Sequence, residues 1–459
     1  MIKLSFSQLA QVLHLESVPK DGKFCGVSTD TRNIAEGNLF LAIEGPNFDG
    51  HDFIQDAKAK GAVAAIVSRP IQTDLPCFVV SDTIQALGKL ATYWRKQFKI
   101  PLVAITGSNG KTTVKNMIAA VLQSACKKPE HCLVTMGNLN NHIGMPLTLL
   151  RLNSKHQFAV IEMGMNHFSE ISYLSRMAEP SVAVITNAYP AHLDGVGTLD
   201  GVAQAKGEIF QGLSEAGVAV LNADDDYLDY WNALIDSQEI LTFGLKHDAD
   251  VAAKNGQFTC HNSLFTLDTP EGSVDMVLPL SGQHNVMNAL AATAACLALD
   301  IDLPIIKTAL ESFETAHSRL VSQEVKNVGW VLDDTYNANP GSVYAAIDVL
   351  MSYPDKKILI LGDMKELGED AKLFHHQAGA CAKNAGVDYV LAVGEFAQDV
   401  VDGFGDDASA FKNKADLYEH LNRLIAEHAP VSVLVKGSRS MKMEEVVIYL
   451  LALKKEKCS

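Results

Sequence analysis

Residues 101–125, PLVAITGSNGKTTVKNMIAAVLQSA, pass from an apolar strand through a glycine turn into an amphipathic helix. Few folds accommodate that order. A short, near-continuous apolar run is the mark of a parallel strand covered on both faces. A glycine loop that leaves such a strand and opens a helix turns successive N–H groups, and the positive end of the helix, toward one point. That point suits phosphate. The common phosphate loop reads G-x-x-x-x-G-K-[ST], but the residue five before Gly110 is Ile105 and the first glycine is Gly107. The loop Gly107, Ser108, Asn109, Gly110, Lys111, Thr112 and Thr113 is therefore a shorter variant. Lys111 is expected to pair with terminal phosphate oxygens and Thr112 to offer its hydroxyl to Mg²⁺. A plain glycine turn with a solvated lysine is the alternative, and Gly-Lys-Thr-Thr behind a buried strand is more specific than that.

The same strand-then-helix rhythm recurs along the chain and divides it into three blocks. Residues 1–98 carry short apolar runs at 39–43, 62–68 and 77–82, followed by a helical stretch, and read as a small α/β domain. Residues 99–314 carry buried runs at 101–106, 158–164, 181–188 and 217–224, which predicts a doubly wound, mostly parallel sheet. Residues 315–459 repeat the pattern at 329–336, 356–364, 388–394 and 431–438, as in a Rossmann-like domain. No G-x-G-x-x-G follows its first strand, which argues against a nicotinamide cofactor. The fold expected is α/β in three domains. A chain of 459 residues is long enough for about two to four domains.

Composition narrows the setting. No stretch reaches the roughly 20 apolar residues that span a bilayer, and the first 20 residues read as an amphipathic helix rather than a secretory signal. Eight cysteines without a C-x-x-C pair fit reduced, buried thiols in a cytoplasmic protein. The net charge of −16 disfavours non-specific binding to nucleic acid. It leaves room for an anion gripped locally by backbone N–H groups.

Open α/β sheets collect their ligands at the carboxyl ends of the strands. Glu162 stands at the end of the run 158–164, where an unpaired acid would be costly, so a metal-ligand role is expected. His192 follows the third run in TNAYPAHLD. A structural role or a site role is open to it.

The motifs TGSNGKTT, TMGNLNNHIGMPLTLL, VIEMGMNHFSEI, TNAYPAHLDGVG, AKGEIF, SGQHNVMNALAA, DDTYNANPGSV, LGDMKELG and VLVKGSRSMKMEE occur in this order over nearly the whole chain. Together they resemble the Mur ligases of bacterial cell-wall synthesis, whose phosphate loop has the same short spacing. STDTRNIAEGNLFLAIEGPNFDGHDFI, EMGMN, DDTYNANP and KGSRSMKME are similar to the member of the family that adds D-Ala-D-Ala. The resemblance implies ATP-dependent joining of D-Ala-D-Ala to UDP-N-acetylmuramoyl-tripeptide. The tripeptide carboxylate attacks the γ-phosphate, and the dipeptide amine then attacks the acyl phosphate. It implies two Mg²⁺ ions, a cytoplasmic monomer, and no nucleic-acid or membrane partner.

The resemblance also implies roles for individual residues. Thr112 and Glu162 would hold one Mg²⁺, and His192 and Lys206, in carbamylated form, the other. The plain alternative for Lys206 is a surface lysine paired with Glu208. Asn285 and Asn288 would face the adenine, with helix capping as the alternative for Asn285. Arg319 would reach the nucleotide phosphates, with Ser318 standing where the family commonly has glycine. Asp334 would reach the ribose, the adjacent Asp333 leaving that choice open. Asn166, Asn337 and Asn339 would face substrate. Ser28, Thr29, Asp30 and Arg32, with Asn138 and Asn141, would bind the UDP-sugar, although Asp30 and Arg32 also make a plausible local ion pair. Lys436, Ser438 and Arg439 would bind the dipeptide, whose carboxylate calls for a cation.

The nearest alternatives are the sibling that adds the third amino acid and a folylpolyglutamate synthetase. The first lacks support because no Asp-Asn-Pro-Arg signature is present, and the second because the N-terminal block is of UDP-sugar type. A phosphate-loop switch protein is the alternative from another class. No γ-phosphate sensor replaces the substrate motifs.

Overall fold

The computed structural model describes residues 1–314 and 319–453. Segment 315–318, which holds Ser318 and the expected border of the third block, lies outside the described residues, as does Cys458.

Alternate residues of the central strands belong to two different cores. Leu102, Ala104, Ala159, Ile161, Ala183 and Ile185 face one cluster. Val103, Ile105, Val160, Val182 and Val184 face the other. Both faces exclude water, which is why these strands read as continuous rather than alternating runs. They form a nine-stranded sheet in the order 132–134, 158–162, 102–106, 182–185, 218–222, 239–244, 251–258, 263–269, 272–278. The strand Leu102–Thr106 pairs in parallel with Phe158–Glu162 on one side and Val182–Ile185 on the other. The chain thus reverses its winding at the phosphate loop, the place where a doubly wound sheet opens a crevice.

The strand–helix rhythm expected for the whole block ends at Gly244. The last three strands follow each other without helices, and the final two pairings are antiparallel. Ser263–Thr269 alternates between buried and exposed residues. That period-2 pattern was available in the sequence.

The N-terminal unit has a parallel sheet in the order 27–28, 39–41, 64–67, 77–79. Its first helix, Phe6–Leu13, is closed by a capping box of Ser5 and Gln8. The unit has no separate core on its inner side. Ile2, Leu9, Leu39 and Leu90 join the cluster that covers the central sheet. Arg95 donates to the carbonyls of Phe98 (2.6 Å) and Ala178 (2.8 Å), which ties the two units at their junction.

In the C-terminal unit the sheet order is 321–325, 329–334, 431–436, 356–362, 389–393, 408–411. All pairings are parallel except that of the edge strand 321–325, which was not anticipated. Among the described residues no helix is long and apolar enough to cross a membrane.

Candidate active site

A cleft of about 1120 Å³ lies between the central and C-terminal units, with the phosphate loop on its wall. Gly107 has φ +150° and Gly110 φ +81°. A Cβ at Gly107 would stand 1.8 Å from Thr186 Oγ1, and one at Gly110 2.3 Å from Asn288 Oδ1. Both glycines are therefore required by close approach as well as by backbone conformation. The segment after Ile185 grips the loop. Asn109 N–H donates to Asn187 Oδ1 (2.9 Å), Thr186 Oγ1 donates to the Asn109 carbonyl (2.6 Å), and Ser108 Oγ donates to the Tyr189 carbonyl (2.8 Å). Gly110 caps the helix Lys111–Ala125. The helix's unpaired first-turn N–H groups therefore open on the cleft, a ready anion site.

Lys111 turns its ammonium onto the carbonyls of Gly107 (2.6 Å) and Ser108 (3.2 Å). Desolvation lowers its pKa, with the Glu162 charge opposing that shift and Arg319 adding to it. Thr112 Oγ1 donates to Glu162 Oε2 (2.9 Å), and Arg319 Nη2 donates to Thr112 Oγ1 (3.0 Å). Glu162 is buried, and Asn140 Nδ2 donates to its other oxygen at 2.7 Å. Lys115 Nζ stands 3.8 Å from Glu162 and donates to the Thr135 carbonyl (3.1 Å). Sequence reasoning passed over Lys115 and Asn140. The signal for Lys115 was its place four residues after Lys111, on the same helix face.

Two hard oxygens, the Thr112 hydroxyl and the Glu162 carboxylate, meet where a phosphate-bound Mg²⁺ takes its few protein ligands. Among the described residues no group of three or more His, Cys, Asp or Glu side chains gathers into an all-protein metal cage. Mg²⁺ does not need one, because water and phosphate oxygens complete its shell.

His192 lines the same cleft. Its Nδ1 lies 2.6 Å from Glu366 Oε2, a residue of the C-terminal unit. Lys206, on the helix Leu199–Gly207, is only 2% exposed, so it is not the surface lysine of the plain alternative. Glu208, its supposed partner, instead accepts from the N–H groups of Ser169 (2.7 Å) and Ser172 (3.1 Å). Burial drives the Lys206 pKa well down, the Lys111 charge lowers it further, and Asp225 opposes the shift.

Asn285 and Asn288 lie on the helix Gln283–Leu297 at the cleft wall. Gly282, not Asn285, is the residue that caps this helix. Asn285 Nδ2 donates to the Ser281 carbonyl (2.8 Å), and Asn288 backs Gly110. Beside them His284, overlooked in the sequence, has its pKa lowered to about 4 by burial.

The C-terminal unit closes the cleft. Arg319 stacks on Tyr336, 4.1 Å from the ring centroid. Asp333 does not line the cleft and accepts from Thr335 Oγ1 (2.6 Å), whereas Asp334 lines it and pairs with Lys436. Lys436 is almost fully buried and also donates to the Asn337 carbonyl (3.0 Å). Its charge is thus already matched, unlike the free cation expected for a dipeptide carboxylate. Asn339 caps the helix Pro340–Met351 and donates to Asn109 Oδ1 (2.8 Å), linking the C-terminal unit to the phosphate loop. Asn337 and Asn166 are exposed on the cleft wall.

Other expected site residues are held differently. Asn141 lines the cleft, but its side chain accepts from Ile143 N–H (3.1 Å) and Gly144 N–H (2.8 Å) at a helix start. Asn138 is exposed at the cleft. Ser28, Thr29, Asp30 and Arg32 do not line it. Asp30 and Arg32 form the local ion pair at 2.7 Å, and Ser28 Oγ donates to the Asp30 carbonyl (2.9 Å). Ser438 accepts from Lys365 N–H (2.9 Å), and Arg439 is exposed and paired with Glu444 (3.2 Å).

Comparison with known proteins follows the same three blocks. Residues 23–101 match the model of the Mur ligase family catalytic domain, 105–296 the Mur ligase middle domain, and 319–439 the Mur ligase glutamate ligase domain. The UDP-N-acetylmuramoyl-tripeptide--D-alanyl-D-alanine ligase of Escherichia coli (strain K12) is 45% identical over 450 residues, covering 97% of this chain and 98% of the relative. A crystal structure of MurF from Acinetobacter baumannii superposes with a TM-score of 0.93 at 37% identity, over 98% of this chain and 99% of that one. MurF from Thermotoga maritima, solved in complex with ADP, gives 0.82 at 27% identity, over 94% and 98% of the two chains. By sequence and fold along almost its whole length, the chain belongs to the Mur ligase family.

Proposed function

We propose that the cleft joins D-Ala-D-Ala to UDP-N-acetylmuramoyl-tripeptide at the expense of ATP. The observation that carries the reading is full-length similarity, at 45% identity, to a ligase of that name, combined with a phosphate loop that faces the third unit. The nucleotide phosphates occupy the N-terminus of the helix Lys111–Ala125, and Lys111 exchanges its two loop carbonyls for phosphate oxygens. Attack of a carboxylate on a polyanion is held back by charge. Lys111 and Arg319, which donates to Thr112, neutralise it together. The chemistry leaves an acyl phosphate, which the dipeptide amine then opens with release of phosphate.

Thr112 and Glu162, which meet in the cleft wall, would hold one Mg²⁺, and His192 and Lys206 would hold a second. When bound, it neutralises the charge developing on the transferred phosphoryl group. Lys115 and Asn140 hold the Glu162 carboxylate in place. Lys206 acts as its carbamate, an oxygen ligand. Carbamate forms from the neutral amine, and burial beside the Lys111 charge favours that neutral form. The same Lys111 charge then stabilises the anion produced. Because the folded pKa of Lys206 is lowered, its neutral fraction falls as pH drops through that pKa and recovers as pH rises. In CO₂-free buffer, turnover is expected to fall by at least the roughly 10–100-fold that losing an outer-shell metal partner costs, and to recover on adding bicarbonate. Indifference to CO₂ in the native enzyme would remove the carbamate from this account.

For the UDP-sugar we propose the N-terminal unit, where the exposed guanidinium of Arg32 is held by Asp30, together with Asn138 at the cleft. For the dipeptide we propose Asn166 and Asn337 on the cleft wall, with the exposed Arg439 supplying the cation. ADP release measured with the UDP-tripeptide tests the whole reading. We expect release with D-Ala-D-Ala and little with single amino acids. Equal ADP release in the absence of any amine would sink the ligase assignment.

A further inference from the structure

We propose that Glu366 is a positioning residue that sets the tautomer of His192, and that it does so only while the C-terminal unit is docked as it is here. Glu366 lies 174 positions from His192, in the loop after the strand Lys356–Gly362 of the C-terminal sheet. It uses both of its acceptors on one turn. Its carboxylate meets His192 Nδ1 at 2.6 Å, and its carbonyl accepts from Leu193 N–H at 3.0 Å. Both residues hold left-handed backbone, φ +56° at His192 and +64° at Glu366, a conformation that non-glycine residues adopt only where neighbours impose it.

The loop that presents Glu366 is tied to its own unit. Asp363 accepts from the N–H groups of Glu395 (3.0 Å) and Phe396 (3.1 Å). Met364 N–H donates to His375 Nε2 (2.9 Å), and Lys365 N–H donates to Ser438 Oγ (2.9 Å). The three residues before Glu366 are thus tied to the C-terminal unit, Leu367 after it joins that unit's core, and Glu366 moves with it.

The chemical consequence follows from the donor inventory. A carboxylate only accepts, so the short contact requires the hydrogen of a neutral His192 to sit on Nδ1. Nε2 then carries the lone pair, the one form in which that atom can accept a bond or ligate a cation. His192 lines the cleft and Glu366 does not, so the carboxylate acts from behind the ring. Released from Glu366, the ring reverts toward the Nε2–H form that free imidazole side chains favour, and Nε2 presents a hydrogen instead. Docking of the C-terminal unit thereby readies His192. The metal part of the inference rests on the proposed role of His192, whereas the tautomer part does not.

The test uses the full-length protein labelled with ¹⁵N-histidine, without ligands, at a pH where His192 is neutral. Its ring signals are assigned by their absence in His192→Asn. We expect an Nδ1–H pattern in the native protein and an Nε2–H pattern in Glu366→Ala. The fold is expected to hold, because the Glu366 side chain is 55% exposed, and a thermal melt checks it. In turnover, Glu366→Ala is expected to raise the half-saturating Mg²⁺ concentration by about tenfold or more, as outer-shell partners do. A native Nε2–H pattern, or an Nδ1–H pattern that survives in Glu366→Ala, overturns the proposal. If the tautomer switches but Mg²⁺ dependence changes only in His192→Ala, the coupling is overturned. If neither variant changes it, the reading of His192 as a ligand fails, and the coupling with it.

Discussion

Lys111→Ala is expected to abolish turnover while leaving the protein folded. Among the described residues the Lys111 ammonium bonds to two carbonyls of its own loop, and the side chain lines the cleft, so its loss opens no cavity among core side chains. The variant also removes a desolvated cation whose pKa the burial already lowers, and stability should change little. The rate is another matter, because this charge is aimed at the phosphoryl group in transfer. Loss of one preorganised donor to a developing charge costs about 10²–10³ in kcat, or about 2.7–4 kcal/mol, and Lys111 brings a full charge as well. Single-turnover ADP formation should fall by that factor or more, with an unchanged melting temperature. A variant that turns over at near-native rate would refute the phosphate-loop assignment.

Gly107→Ala is expected to damage both the loop and the fold. The added methyl would stand 1.8 Å from Thr186 Oγ1 and 3.2 Å from the Thr186 nitrogen, so one of the two strands must move. Moving Thr186 breaks its bond to the Asn109 carbonyl, one of the contacts that shape the loop. The backbone conformation adds about 1–3 kcal/mol of strain for any residue with a Cβ. We expect a lowered melting temperature and at least tenfold weaker ADP binding by calorimetry. Adding Thr186→Ala should relieve the clash but not the backbone strain, so recovery should be partial. Native-like ADP affinity in Gly107→Ala would show that the loop is not built as described.

Much of the fold was legible because both faces of the central and C-terminal sheets are buried. Burial on both faces leaves an unbroken apolar run in the sequence for each strand, and the runs at 101–106, 158–164, 181–188 and 431–438 all became parallel strands. The strand Ser263–Thr269 escaped because it is buried on one side only, and an alternating pattern is weaker than a run, whereas Val251–Phe258 is mostly exposed and leaves no apolar run at all. The shared core of the N-terminal and central units was not legible. Nothing in a buried leucine such as Leu90 says which sheet it will cover.

Side-chain roles divide along the same line. The strand, the two glycines and Lys111 are neighbours in the chain, and their spacing alone determined a phosphate loop. With the other motifs in order, it also pointed to the family. Only the tertiary structure decided which charges are matched. It buried Lys206 and paired Asp334 rather than Asp333 with Lys436. It also brought Lys115 and Asn140 to Glu162, and Glu366 to His192. The physical reason is that local conformation depends on adjacent residues, which a sequence displays directly. Desolvation and ion pairing depend on what the packed fold sets within a few ångströms, and those partners come from distant parts of the chain.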